Sequence, residues 1–150
     1  RSEMCIETGC GWGPITVALG LESPNAEIFA VDVNERALEL TKLNAQAAGL
    51  QHVHAALADD ALHADSSPQF DNFDVIWSNP PIRVGKEVLH NILLTWLPRL
   101  RVGGAAYLVV QKNLGSDSLI TWLAENLDET YSVEKYASSK GYRIIEVLRK

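Results

Sequence analysis

Met4-Cys5-Ile6-Glu7-Thr8-Gly9-Cys10-Gly11-Trp12-Gly13-Pro14 runs from an apolar segment through clustered glycines to a proline. Met4–Glu7 reads as a short strand. The glycines that follow permit a tight turn and let a ligand approach the backbone closely. Pro14 suits the first turn of a helix, where its missing N–H costs nothing, and that helix extends to about Gly20. A dinucleotide fingerprint G-x-G-x-x-G would require glycine where Pro14 stands. The loop therefore predicts a strand, a ligand-facing turn and a helix, without fixing the ligand.

The same alternation continues along the chain. Glu27–Asp32 reads as a strand, and a helix follows from Asn34, a good N-cap, to about Ala48, with Gly49 closing it. Val53–Leu57 and Phe73–Ser78 read as strands, separated by a loop that includes Asp65-Ser66-Ser67-Pro68. Val88, Leu89, Ile92, Leu93, Trp96 and Leu97 have helical spacing within a helix from about Gly85 to Leu97. Ala105–Gln111 reads as a fully buried strand, and Ser116 to about Leu127 as a helix with Leu119, Ile120, Leu123 and Leu127 on one face. Tyr131–Ala137 and Tyr142–Leu148 read as strands of a hairpin turning at Ser138-Ser139-Lys140-Gly141. Alternating strands and helices imply an open α/β sheet, mostly parallel, with helices on both faces. Ligands of such sheets bind beyond the carboxyl ends of the strands, where the strand order reverses.

A chain of 150 residues with 47% apolar content should form one domain with a substantial core. It starts at Arg1 without Met and enters a strand almost at once, as a domain cut from something longer would. Cys5 and Cys10 are its only cysteines, too few for a disulfide framework or a zinc set. No secretory leader or run of about 18 apolar residues is visible, so a cytoplasmic location, away from membranes, is expected. Net charge is −6, unevenly spread: residues 1–74 hold 3 basic and 12 acidic groups, residues 75–150 hold 10 and 7. A polyanion could approach the second half without the whole domain being basic.

Two further features sit at strand ends. Asp32 lies 23 positions after Gly9, close to the roughly 20-residue spacing at which a carboxylate accepts hydrogen bonds from ribose hydroxyls. Asp59-Asp60-Ala61 follows the third strand, and Asp60 is the better candidate for an adenine contact. Glycine loop and ribose acid together imply an adenosine-containing cofactor. Asn79-Pro80-Pro81-Ile82 follows the fourth strand. Proline lacks an N–H and restricts the residue before it, so Asn79 and Pro80 make a rigid platform of acceptors. The Asn79 side-chain oxygen and the Pro80 carbonyl could hold the two hydrogens of an exocyclic amine and aim its lone pair at an electrophile. Such catalysis rests mainly on positioning, on the order of 7–11 kcal/mol in the best-oriented cases. His52, His54, His63 and His90 read as packing or solvent-facing residues, not as a catalytic base.

Glu7-Thr-Gly-Cys-Gly-Trp-Gly13, Asp32 and Asn79-Pro-Pro-Ile82, in this order, resemble the class I S-adenosylmethionine-dependent methyltransferases. More narrowly, the chain resembles the "methyltransferase small" group that includes ribosomal RNA small subunit methyltransferase C. The run from Asn79 to His90 resembles a single-domain subgroup, and Lys140-Gly-Tyr-Arg143 its final hairpin. The resemblance implies a Rossmann-like seven-stranded sheet with an antiparallel last strand. It implies S-adenosylmethionine as cofactor and methyl transfer to guanine N2 of 16S ribosomal RNA, as naked RNA or in the small ribosomal subunit. Glu7, Gly9 and Gly11 would face the methionine part, Asp32 the ribose and Asp60 the adenine. Cys10, Gly13, Val33, Ala61 and Asn79 would complete the cofactor-binding set. Asn79, Pro80 and Pro81 would carry the catalytic platform, Ile82 would cover the base, and Arg83, Lys86, Lys112 and Arg143 would contact phosphates. No metal is expected.

Two positions depart from the family pattern: Glu7 stands where Asp is commoner, and Ile82 where many relatives have Phe or Tyr. Ile can cover a base face by dispersion but lacks aromatic stacking, worth about 1–3 kcal/mol per base. Adenine N6 and protein glutamine are alternative acceptors, since both present similar amino chemistry. A non-catalytic cofactor-binding module is the alternative from another class, and the intact Asn-Pro-Pro argues against it. A nicotinamide dehydrogenase would share the loop and Asp32 but leave the prolines without a role.

Overall fold

The computed structural model describes residues 3–9, 13–57, 72–79, 85–111, 115–139 and 141–150. Its strands are β1 (Met4–Thr8), β2 (Glu27–Asp32), β3 (Val53–Leu57), β4 (Phe73–Ser78), β5 (Leu100–Gln111), β6 (Tyr131–Ser139) and β7 (Tyr142–Arg149). They form one sheet in the order β3-β2-β1-β4-β5-β7-β6. The five strands from β3 to β5 pair in parallel, and β7 runs antiparallel to both β5 and β6. The Rossmann-like sheet with an antiparallel last strand is therefore as expected. Strand order reverses at β1, with β2 on one side and β4 on the other, so the ligand crevice lies above the ends of these strands.

The helices are α1 (Pro14–Glu22), α2 (Glu35–Ala47), α3 (Lys86–Trp96) and α4 (Ser116–Asn126), with a 3-10 turn at Leu97–Arg99. Local chemistry sets the ends of α2. The Asn34 side-chain oxygen accepts from the N–H groups of Arg36 and Ala37 at 2.9 and 3.3 Å. At the other end Gly49 takes φ 75°, and the N–H groups of Gly49 and Leu50 donate to the carbonyls of Gln46 and Ala45. Both caps satisfy backbone groups that a helix end leaves open.

Period-2 alternation divides the sheet residues between two layers. Ile6, Ile76, Ala106 and Val147 occupy one row across β1, β4, β5 and β7. They join Leu89, Leu93 and Trp96 of α3 and Leu119 and Leu123 of α4 in the main core. Burying each such leucine contributes about 1.5–3 kcal/mol. On the opposite face Cys5, Ala26 and Ile28 pack with Leu19 of α1, and Ala30 packs with Leu38 of α2. Trp77 and Tyr107 stack on that face with centroids 4.9 Å apart, and Tyr136 meets Tyr107 edge-on.

Two strand readings are corrected. β5 begins at Leu100, five residues before the expected Ala105. Leu100 pairs with Phe73, and a shift in register precedes the pairing of Val75 with Ala105. Gly104 allows this, because a Cβ there would meet the carbonyl oxygens of Phe73 and Asp74 at 2.9 and 3.0 Å. Nor is β5 buried on both faces. Ala106, Leu108 and Val110 are buried, whereas Ala105, Tyr107 and Val109 are half-buried, because α1 and α2 pack over β1–β3.

Candidate active site

Three neighbouring strands end together at the crevice. β2 ends in Asp32, β1 in Thr8 and β4 in Ser78, so Asp32, Gly9 and Asn79 leave the sheet side by side. The Gly9 N–H donates to the carbonyl of Val31 at 2.9 Å. Gly9 adopts φ 71°, and a Cβ built on it would stand 3.3 Å from the Asn79 carbonyl oxygen. A side chain here is thus disfavoured twice, by the left-handed backbone and by the neighbouring strand. The start of the glycine loop thus lies against Asn79, 70 residues away in sequence.

Asp32 is half-buried, and its Oδ1 accepts from the Asn34 N–H at 3.0 Å. Val33, which follows, is 84% exposed in the turn between β2 and α2. Asn79 is exposed just above the buried Ser78. A bare backbone cradle at Gly9 with a carboxylate one strand away fits an adenosine-containing ligand. Gly9, Asp32 and Val33 are the described residues that would hold it.

Glu7 has a different setting from the ligand-facing one expected. It is 1% exposed, and its Oε1 accepts from both the N–H and the hydroxyl of Thr16, at 2.9 and 2.5 Å. The carboxyl therefore ties the first turn of α1 to β1 and anchors both ends of the glycine loop. Burial pushes it up to about 7, the two Thr16 hydrogen bonds oppose that shift, and the nearby Asp32 charge adds to it. Gly13 also serves packing, since a Cβ there would meet Thr41 of α2 at 2.9 Å.

Of the basic residues expected to meet phosphate, Lys86 is exposed at the start of α3. Arg143 is mostly buried, at 18% side-chain exposure, and is ion-paired with the exposed Asp117 of α4. Its Nε is buried without a partner. Cys10, Gly11, Asp60, Ala61, Pro80, Pro81, Ile82, Arg83 and Lys112 lie outside the described residues, as does His63. His90 stacks on Trp122 with centroids 3.6 Å apart, and the exposed His54 bonds Glu27 at 2.5 Å. Sequence reasoning missed Thr8, Thr16 and Ser78, all buried. Thr8 and Ser78 carried one local signal, a hydroxyl residue directly before Gly9 and Asn79, and Thr16 carried none. No helix among the described residues is long and apolar enough to cross a membrane.

The methyltransferase small domain model matches residues 1–146. The chain belongs to the methyltransferase small domain family. S-adenosylmethionine is the methyl donor of such a domain, and the Gly9 cradle and Asp32 suit it. The chain is 38% identical over 141 residues to the uncharacterized protein YbxB of Bacillus subtilis (strain 168), covering 94% of this chain and 67% of that protein. It is 28% identical over 139 residues to ribosomal RNA large subunit methyltransferase G of Pseudomonas putida (strain W619). That match covers 90% of this chain but only 36% of the relative's length. Among solved structures, an rRNA methylase from Streptococcus thermophilus superposes with a TM-score of 0.74 at 18% identity, over 99% of this chain and 87% of that one. SMU.1697c of Streptococcus mutans, solved in complex with SAH, gives a TM-score of 0.74 at 17% identity, over 98% and 88%. At these identities the two structures share the fold with this methyltransferase domain.

Proposed function

We propose that residues 1–150 form one methyltransferase domain acting on an exocyclic amine of a nucleobase, guanine N2 of 16S ribosomal RNA. The observation that supports this reading is the approach of Gly9 to the Asn79 carbonyl, which sets the start of the cofactor loop beside the residue that opens the Asn-Pro-Pro sequence. Bound S-adenosylmethionine supplies an electrophilic methyl group. Gly9, Gly11 and Cys10 hold its methionine end, Asp32 accepts from the ribose hydroxyls, and Asp60 with Ala61 meets the adenine. Asn79 Oδ1 and the Pro80 carbonyl accept the two amine hydrogens, which lets the nitrogen pyramidalise and directs its lone pair across the crevice. Pro81 stiffens that platform and Ile82 covers the base. Lys86, with Arg83 and Lys112, contacts phosphates, and the substrate RNA places the enzyme in the cytoplasm. No strong general base is needed, because the methylated amine releases its proton to water.

A large-subunit ribosomal RNA acceptor is the second reading, favoured by the name carried by the Pseudomonas relatives. Mass spectrometry of nucleosides from separated ribosomal RNAs, and of tryptic peptides, from a strain lacking the gene tests both. Loss of N2-methylguanosine from 16S RNA supports the leading reading, and loss from large-subunit RNA the second. Loss of N6-methyladenosine or methylglutamine, with N2-methylguanosine intact, overturns both.

A further inference from the structure

Thr8 and Ser78 are the last residues of β1 and β4, in register with each other. The Thr8 hydroxyl donates to Ser78 Oγ at 2.8 Å, and the residues are 5% and 3% exposed. Their neighbours along the row are apolar: Val31 flanks Thr8, and Leu108 and then Ile145 continue beyond Ser78. All three of those neighbours are buried. A valine and an alanine would suit such a row without the cost of burying two hydroxyls.

The next residue on each strand is functional in the reading above. Gly9 opens the cofactor loop, and Asn79 opens the acceptor platform. Both leave the sheet just past this rung, Gly9 keeping a backbone bond to Val31 of β2 on the side away from β4. A one-residue slip between the strands would displace Asn79 by about 3.3 Å relative to Gly9. The hydroxyl bond ties the two strands together at the last point before they diverge.

We infer that Thr8 and Ser78 are positioning residues whose side-chain hydrogen bond fixes the separation of the cofactor loop from the amine-holding Asn79. This rests on the acceptor reading of Asn79. The role is specific to turnover: it sets where the amine stands relative to the donor and leaves each half of the site able to bind its own ligand. Misplacement of reacting groups by an ångström can cost about a hundredfold in rate, so losing one hydrogen bond should slow transfer by about tenfold.

The test uses purified protein, labelled S-adenosylmethionine, and an extract of a gene-deletion strain, which contains the acceptor whatever its class. Thr8→Val, Ser78→Ala, the double variant, Thr8→Ser and Asn79→Ala are compared for initial rate at saturating cofactor, cofactor affinity by calorimetry, and Tm. Each single variant should lose about tenfold in rate with cofactor Kd within about twofold of wild type. Thr8→Ser, which keeps the hydroxyl, should restore the rate. The double variant should regain the Tm lost by the singles, having no orphaned hydroxyl, yet stay slow. If a single variant does not fold, the double variant and Thr8→Ser decide the matter. Wild-type rates in Thr8→Val and Ser78→Ala beside an inactive Asn79→Ala overturn the positioning role alone, as does a double variant that recovers both rate and Tm. A wild-type rate in Asn79→Ala overturns the acceptor reading and this inference together.

Discussion

Glu7 of β1 and Thr16 of α1 form a buried pair in which one carboxylate oxygen accepts both the backbone N–H and the hydroxyl of the threonine. The pair closes the segment containing the glycine loop from below, so the loop is tethered at both ends.

The pair makes stability pH-dependent in an unusual direction. Burial raises the Glu7 carboxyl from 4.5 to about 7, so between these values the folded state binds a proton that the unfolded state has released. Stability then falls as pH rises through this window and levels off above it, by about 3 kcal/mol for this group. Glu7→Gln keeps an acceptor for Thr16 and removes the titration. Urea unfolding of the cofactor-free protein from about pH 5 to about pH 8 should show a flatter profile for Glu7→Gln. Parallel profiles for variant and wild type would contradict the assignment.

Asp32 is proposed to accept hydrogen bonds from the ribose hydroxyls. Asp32→Ala should weaken S-adenosylmethionine binding by about 10- to 100-fold, the worth of hydrogen bonds to a charged acceptor. Tm should drop only slightly, since the Asn34 N–H it caps is exposed. Calorimetry with S-adenosylmethionine measures the loss, and an unchanged Kd would remove Asp32 from the site.

Much of the fold was legible because its signals are local. Asn34 and Gly49 bracket α2 through contacts spanning a few residues, and the leucines of α3 and α4 declare their buried faces by spacing. Of the site, Gly9, Asp32 and Asn79 were legible as types at strand ends. Their adjacency was not, because it depends on β1 pairing with both β2 and β4. The second role of Glu7 was hidden for a similar reason: only packing of α1 on the sheet reveals Thr16 as its partner. The early start of β5 was hidden as well. Arg101-Val102-Gly103-Gly104 has no strand-like alternation, and its pairing is imposed by the neighbouring β4.

The two described basic candidates should separate by salt dependence. Lys86 is exposed, whereas Arg143 is mostly buried against Asp117. Lys86→Ala should reduce the slope of log affinity against log salt by about 1, measured by anisotropy with a labelled ribosomal RNA fragment. Arg143→Ala should leave that slope unchanged and act through Tm. The reverse pattern would move the RNA path to the β7 side of the crevice.

Asn79 is proposed to present a guanine N2 amine to the methyl donor. The most direct measurement is transfer of labelled methyl from S-adenosylmethionine to 16S RNA and to 30S subunits from a deletion strain, followed by nucleoside analysis. Wild-type protein should place label in N2-methylguanosine, and Asn79→Ala should lower the rate at saturating cofactor by about a hundredfold or more. Near wild-type transfer by Asn79→Ala, or label in a different product, would contradict the account.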